Sequence, residues 1–133
     1  MKIVVDTNVL VSGVFFGGMP SRVLAAWRDG KYELVVSPEI LEEYRRVGEH
    51  LEAQFAGVSL APFLALLVMR AEIVEAPDLP QQVSRDQDDD KFIACAIAAE
   101  CDYVVSGDKD LLEVSGYRGV DIVTPREFLD SVL

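Results

Sequence analysis

The chain of 133 residues has few of the side chains on which several common protein classes depend. Two cysteines and one histidine are too few for a zinc site of the Cys/His type, and the cysteines lack a pairing framework. The longest nearly apolar run, residues 58–69, contains a proline and is shorter than the ~20 residues of a membrane span. Asp6 and Asn8 interrupt the apolar stretch that a secretion signal needs at the N-terminus. These absences favour a cytoplasmic protein that is not embedded in a membrane.

Basic residues are also scarce, because 12 Lys and Arg stand against 23 Asp and Glu, which gives a net charge of −11. Proteins that bind nucleic acid tightly and without sequence preference are usually basic, since phosphates attract Lys and Arg. The charge therefore argues against strong general affinity for DNA or RNA. A nucleic-acid enzyme with this charge requires that cations neutralise its carboxylates or that a partner supplies positive charge.

The apolar residues form alternating strand and helix patterns. Continuous runs rich in β-branched residues predict buried strands at 2–6, 33–37, 103–106 and 121–124, with a weaker strand at 72–74. Helical patterns lie at 20–29, 38–51, 60–70, 88–99 and 125–132. This alternation predicts a three-layer α/β/α fold around a mainly parallel sheet of four or five strands. Since half of the residues are apolar and no repeat is present, we expect a single domain spanning residues 1–133.

Acidic residues stand at the ends of several predicted elements. Asp6 and Asp108 follow two of the strands, and ligands of parallel sheets bind beyond the carboxyl ends of strands. Glu43 and Asp90 border the buried faces of their helices, so they can reach the same edge. A structural explanation also exists, because acids in the first turn of a helix complement its dipole by about 0.3–1 kcal/mol each.

Four converging carboxylates are difficult to sustain without a counter-ion. Two negative charges ~4 Å apart repel by ~4 kcal/mol at an effective dielectric of 20. Either some of the carboxyls remain protonated or a divalent cation joins them, and all-oxygen ligands favour Mg²⁺ or Mn²⁺. Such ions activate water and stabilise the leaving oxygen in phosphodiester hydrolysis. We therefore expect a Mg²⁺ or Mn²⁺ site formed by Asp6, Glu43, Asp90 and Asp108.

Four sequence segments, in this order, resemble the PIN-domain family. They are VVDTNVLVSG at 4–13, SPEILEEYRRV at 37–47, DDDKFIACAIAAECDYVVSGDKDLL at 88–112 and IVTPREFL at 122–129. The resemblance is to the compact prokaryotic group described as toxin components of toxin–antitoxin systems, among them VapC-like ribonucleases. It extends nearly from end to end and is weakest at 51–82.

The resemblance implies a metal-dependent endoribonuclease that hydrolyses phosphodiester bonds of single-stranded or loop RNA. It also implies a cognate antitoxin protein as a partner and self-association as a homodimer. The metal ligands and catalytic residues of the family match Asp6, Glu43, Asp90 and Asp108. Auxiliary positions of the family match Asn8, Ser106 and Asp110. Because residues 88–90 are consecutive aspartates, the same match allows Asp89 in place of Asp90.

Two other functions agree with part of the sequence. The segment DTNV superficially resembles the opening of haloacid-dehalogenase-like phosphohydrolases, in which Asp6 would be the nucleophile. That chemistry requires a second acid where this chain has Asn8. A non-catalytic PIN-fold module would instead bind a basic partner in its acidic groove, which the net charge supports. The nuclease is favoured because all four acids are present.

Overall fold

The computed structural model describes all 133 residues, and a sheet of five parallel strands lies at its centre. In chain order these strands are β1 (Lys2–Val5), β2 (Glu33–Val36), β3 (Glu72–Ile73), β4 (Tyr103–Val105) and β5 (Asp121–Val123). Their order across the sheet is β3-β2-β1-β4-β5, and each neighbouring pair is parallel. The predicted α/β fold with a parallel sheet is therefore confirmed.

Seven α-helices connect or follow the strands. They are α1 (Thr7–Phe15), α2 (Gly18–Arg28), α3 (Pro38–Gln54), α4 (Ala61–Arg70), α5 (Asp90–Ala98), α6 (Lys109–Leu112) and α7 (Pro125–Glu127). A 3-10 turn, Gln87–Asp89, precedes α5, and a π-helical turn, Phe128–Val132, follows α7. No single helix is long and apolar enough to cross a membrane, and α1 and α2 reach that length and composition only as a pair bent by 94°.

The three central strands form because their side chains are apolar on both faces. Most residues of β1, β2 and β4 are fully buried, and these include Ile3, Val35 and Val104. Such continuous burial is typical of parallel strands that helices cover on both faces. The edge strand β3 has two residues, both exposed, which agrees with the weak pattern at 72–74.

The strand order defines where a ligand can bind. The chain passes from β1 outward through β2 to β3, and then continues at β4 on the other side of β1. In open parallel sheets, the crevice beyond two such strands is the usual binding site. Val5 pairs with Val105, and the Asp6 amide donates to the Val105 carbonyl at 2.9 Å. This register places Asp6 beside Ser106 at the carboxyl edge of the sheet.

Helix α3 packs closely against the residue that precedes α4, and this contact depends on Gly48. A Cβ at Gly48 would lie 2.1 Å from Leu60 Cδ2 and 3.2 Å from Leu60 Cβ, and Leu60 is itself buried. We expect Gly48→Ala to lower the free energy of unfolding by about 1–3 kcal/mol, the usual effect of overpacking. Urea denaturation measures this change.

The matched control is Gly107→Ala, because no atom lies within 4 Å of a Cβ at Gly107 and its φ is not left-handed. We expect the control to change the free energy of unfolding by less than about 0.5 kcal/mol. In an open helix, Gly→Ala stabilises by roughly 0.5–1 kcal/mol. A Gly48→Ala protein that is more stable than the wild type would therefore contradict the close packing of α3.

Candidate functional site

Asp6 is held in place at the junction of β1 and α1. Its Oδ2 accepts a hydrogen bond from the Ser106 hydroxyl at 2.6 Å, and its Oδ1 accepts one from the Asn8 amide at 3.3 Å. Burial raises the pKa of Asp6, and the nearby charges of Asp108 and Glu43 add to this, although the two hydrogen bonds oppose it. Asp6 is thus the N-cap of α1 and also a buried acid in a negative environment. Asn8 contributes its backbone amide, and its side chain is exposed.

Ser106 joins the acids that follow β1 and β4. Its hydroxyl donates to Asp6 and accepts a hydrogen bond from the Asp108 amide at 2.9 Å. Asp108 is the N-cap of α6, and its Oδ1 accepts from the Asp110 amide at 3.0 Å. One buried hydroxyl therefore fixes both strand ends relative to each other. Asp110 contributes to this turn through its backbone amide.

Asp89 is the aspartate of the 88–90 run that faces these acids. The residue is only 9% exposed, and its Oδ2 has no hydrogen-bond partner. The Asp108 carboxyl is one of the acidic groups close enough to affect its ionisation. Burial raises the pKa of Asp89 to about 8, and Asp108, Asp86 and Asp6 contribute to that rise. Asp89 therefore shares a negative pocket with the acids of β1 and β4.

Asp90, the residue preferred by the sequence prediction, makes different contacts from Asp89. Its Oδ1 accepts from the Ser84 amide at 2.8 Å and its Oδ2 from the Val83 amide at 3.0 Å. Both oxygens thus attach the preceding segment to the first turn of α5. The prediction treated residues 88–99 as one α-helix, whereas residues 87–89 form a 3-10 turn. A 3-10 turn has 3.0 residues per turn, which rotates the direction of each side chain and brings Asp89 to the sheet edge.

Glu43 borders the same pocket from α3, but both of its oxygens are already paired. Oε2 accepts the Thr7 hydroxyl in a short hydrogen bond, and Oε1 lies 2.6 Å from Lys91 Nζ. The adjacent Tyr44 donates its hydroxyl to the Val5 carbonyl in another short hydrogen bond. The start of α3 is therefore attached at two points to the β1–α1 junction, beside Asp6.

Lys91 is the cation that balances Glu43. Its ammonium group also lies 2.9 Å from Asp88 Oδ2, and the side chain is 17% exposed. Burial lowers the pKa of Lys91, but Glu43 and Asp88 raise it by more, so the pKa is above its usual value. Lys91 therefore stays protonated. The sequence prediction did not include Lys91 in the site, because its pairing with Glu43 depends on how α3 and α5 pack.

Two clefts border the acidic pocket, and each has a volume of about 640 Å³. The first lies between α3, the start of α5 and the loop at 76–82, and its wall includes Glu43 and Lys91. The second lies beside α1 and α6, and its wall includes Asn8, Asp108 and Asp110. An extended ligand can therefore approach the acids from either side.

The chain matches a protein-family model described as PIN domain over residues 2–110. The chain belongs to the PIN-domain family. The matched segment contains every acid described above. PIN domains are in general nucleases, so the coarse class of activity is hydrolysis of nucleic acid.

This PIN domain is similar to known proteins in sequence and in structure. It is 26% identical to the uncharacterized protein MJ1680 of Methanocaldococcus jannaschii, across 98% of this chain and 90% of that protein. Its structure resembles that of VapBC2 from Rickettsia felis, which was solved bound to a DNA fragment from the promoter. The TM-score is 0.60 and the identity is 13%, across 93% of this chain and 98% of that chain. At this identity the likeness shows a shared fold.

The pocket of this PIN domain has the chemistry of a site for a hard cation. No three of its His, Cys, Asp and Glu side chains are grouped as a ready set of ligands for one ion. Asp6, Asp89 and Asp108 nevertheless offer only oxygen donors, and one buried oxygen of Asp89 has no partner. The carboxyls of Asp6 and Asp89 have raised pKa values. A divalent cation would favour their ionised forms, so the residues fit Mg²⁺ or Mn²⁺.

Proposed function

We propose that this PIN domain is a divalent-metal-dependent endoribonuclease and the toxin component of a toxin–antitoxin pair. The supporting observation is the meeting of Asp6, Asp89 and Asp108 at the carboxyl edge of the sheet, where the pKa values of Asp6 and Asp89 are raised. A partly buried pocket of acids with few counter-ions is suited to a divalent cation and unsuited to a phosphate group alone.

Each residue of the pocket has a task in this proposal. Asp6, Asp89 and Asp108 would hold the ion. The Ser106 hydroxyl holds Asp6 and Asp108 in fixed relative positions. When bound, Mg²⁺ or Mn²⁺ would supply charge neutralisation at a phosphodiester and a more acidic water. Asp6 and Asp89 are buried, so electrostatic interactions at their carboxyls are stronger than at the surface.

The proposed substrate is single-stranded or loop RNA, and the proposed products carry 3′-hydroxyl and 5′-phosphate ends. The resemblance to VapC-like ribonucleases supports this choice of substrate. The net charge of −11 supports a substrate that is recognised at few points, since it disfavours general affinity for phosphate backbones. The basic side chains on the cleft walls are few, and they include Arg46, Lys91 and Lys109.

The proposed partners are a cognate antitoxin protein and a second copy of this chain. The fold shared with VapBC2 from Rickettsia felis and the resemblance to toxin components support an antitoxin. The charge of this chain supports a basic contact segment on that antitoxin, because opposite charges favour association. The homodimer rests on the family resemblance. The low count of cysteines supports action in the cytoplasm.

The function is tested with the isolated chain and a panel of labelled RNA hairpins, single-stranded RNA and DNA of the same sequences. We expect cleavage of unpaired RNA in Mn²⁺, no cleavage in EDTA, and recovery when Mn²⁺ is restored. An identically purified Asp6→Asn protein controls for contaminating ribonuclease.

Three outcomes would point elsewhere. Full cleavage in the presence of EDTA would contradict the proposed metal dependence. A covalent phosphate on Asp6 would favour the phosphohydrolase. Binding of a basic peptide without cleavage of any nucleic acid would favour the non-catalytic module.

A further inference from the structure

Lys91 is saturated by acceptors in a way that a surface lysine is not. Its ammonium group has three N–H donors, and three acceptors surround it. These are Glu43 Oε1 at 2.6 Å, Asp88 Oδ2 at 2.9 Å and the Asp88 carbonyl at 2.9 Å. The side chain is 17% exposed, so the contact is largely protected from solvent. Lys91 therefore occupies a defined cation position at the edge of the acidic pocket.

The cation at Lys91 serves only one half of the pocket. Glu43 has Lys91 on one oxygen and the Thr7 hydroxyl on the other, and Arg46 lies 3.7 Å from it. By contrast, no salt bridge in the structure involves Asp6, Asp89 or Asp108. The acids thus divide into two groups. Glu43 is neutralised by Lys91, whereas Asp6, Asp89 and Asp108 have no basic side chain paired with them.

We infer that Lys91 is a built-in counter-ion that occupies the second cation position of the pocket, on Glu43. The resting protein therefore binds one divalent ion, at Asp6, Asp89 and Asp108. A second divalent ion binds at Glu43 only where the Lys91 ammonium has been displaced. Lys91 acts in this scheme as a positioning residue. The inference rests on the proposed function, since it assumes that the aspartate half binds a divalent ion.

The test counts Mn²⁺ ions bound without RNA, by electron paramagnetic resonance of free Mn²⁺ and by calorimetry. We expect one tight Mn²⁺ ion per chain in the wild type. Lys91→Met should bind a second Mn²⁺ ion at least about tenfold more tightly than the wild type does, because it removes the ammonium group from Glu43 and Asp88. In EDTA, Lys91→Met should melt below the wild type, and Mn²⁺ should reverse the deficit.

Two matched variants separate this effect from a change in net charge. Lys31→Met removes the same charge from an exposed turn and should bind Mn²⁺ as the wild type does. Lys91→Arg keeps a cation near Glu43 and should not gain the second ion. A gain of equal size in Lys31→Met would overturn the inference.

A further variant keeps the inference testable if Lys91→Met does not fold. Glu43→Gln should leave the first Mn²⁺ affinity within about threefold of the wild type, because Glu43 is paired with Lys91 in the resting pocket. A loss of the first ion in Glu43→Gln, or an unchanged Mn²⁺ count and affinity in Lys91→Met, would overturn it. A wild-type protein that binds no Mn²⁺ would instead remove the proposed metal-dependent function.

Discussion

Asp89→Asn is expected to abolish nucleic-acid cleavage and, in EDTA, to melt at a higher temperature than the wild type. Burial and the nearby Asp108 and Asp6 carboxyls disfavour a negative charge on Asp89. Asparagine carries no charge, so repulsion between these side chains is weaker in the protein without metal. It also removes an anionic oxygen from the proposed ion site. We expect cleavage to fall by roughly 10³-fold, which corresponds to about 4 kcal/mol of the activation barrier.

Asp90→Asn is the matched control, because the same chemical change is made one residue away. The Asp90 carboxylate accepts the amides of Val83 and Ser84, and an amide side chain has one acceptor oxygen instead of two. We expect a decrease of about 1–3 kcal/mol in the free energy of unfolding, as for other buried hydrogen bonds to charged groups. Cleavage per folded molecule should remain within about tenfold. An inactive Asp90→Asn beside an active Asp89→Asn would return the catalytic role to Asp90.

Saturating Mg²⁺ is expected to raise the melting temperature by roughly 10 °C. A ligand at 100 times its dissociation constant adds about 2.7 kcal/mol to the native state, and a domain of this size gains a few degrees per kcal/mol. Differential scanning calorimetry measures the shift. The control is NaCl at matched ionic strength, since screening also weakens repulsion between acids. A shift no larger than that of NaCl would contradict a specific ion site.

The same experiment has a defined dependence on pH. The pKa of Asp89 is raised from 3.8 to about 8, so the folded protein binds this proton more tightly than the unfolded chain does. Stability contributed by the proton is complete below pH ~4 and is lost as pH rises toward 8 in EDTA. The stabilisation by Mg²⁺ should grow over that window. The stability difference between Asp89→Asn and the wild type should disappear near pH 4.

The sequence predicted the sheet well, because its strands are apolar on both faces and therefore form continuous runs. It did not predict α1, because the segment TNVLVSGVF separates only weakly into an apolar face and a polar face. Helix α1 is formed instead by the Asp6 N-cap and by packing against α2 and α3. The four-residue α6 is too short to produce a pattern.

The site was predictable only where a side chain follows a strand directly. The neighbouring positions of Asp6 and Asp108 were predicted in that way, because the strand ends of a parallel sheet share one edge. Asp89 was not preferred over Asp90, because a 3-10 turn inside a predicted α-helix leaves no signal among three identical residues. The pairing of Lys91 with Glu43 joins positions on two helices, and one sequence contains no information on that contact.

The hydroxyl groups of Thr7 and Tyr44 have a mechanical consequence. They attach the first turns of α3 to the strand end that bears Asp6, through Glu43 and the Val5 carbonyl. A protein that binds to the outer side of α3 and tilts the helix would therefore also move Thr7 and Val5, which flank Asp6. By reciprocity, an occupant of the pocket would stiffen α3 and change how firmly its outer side is held.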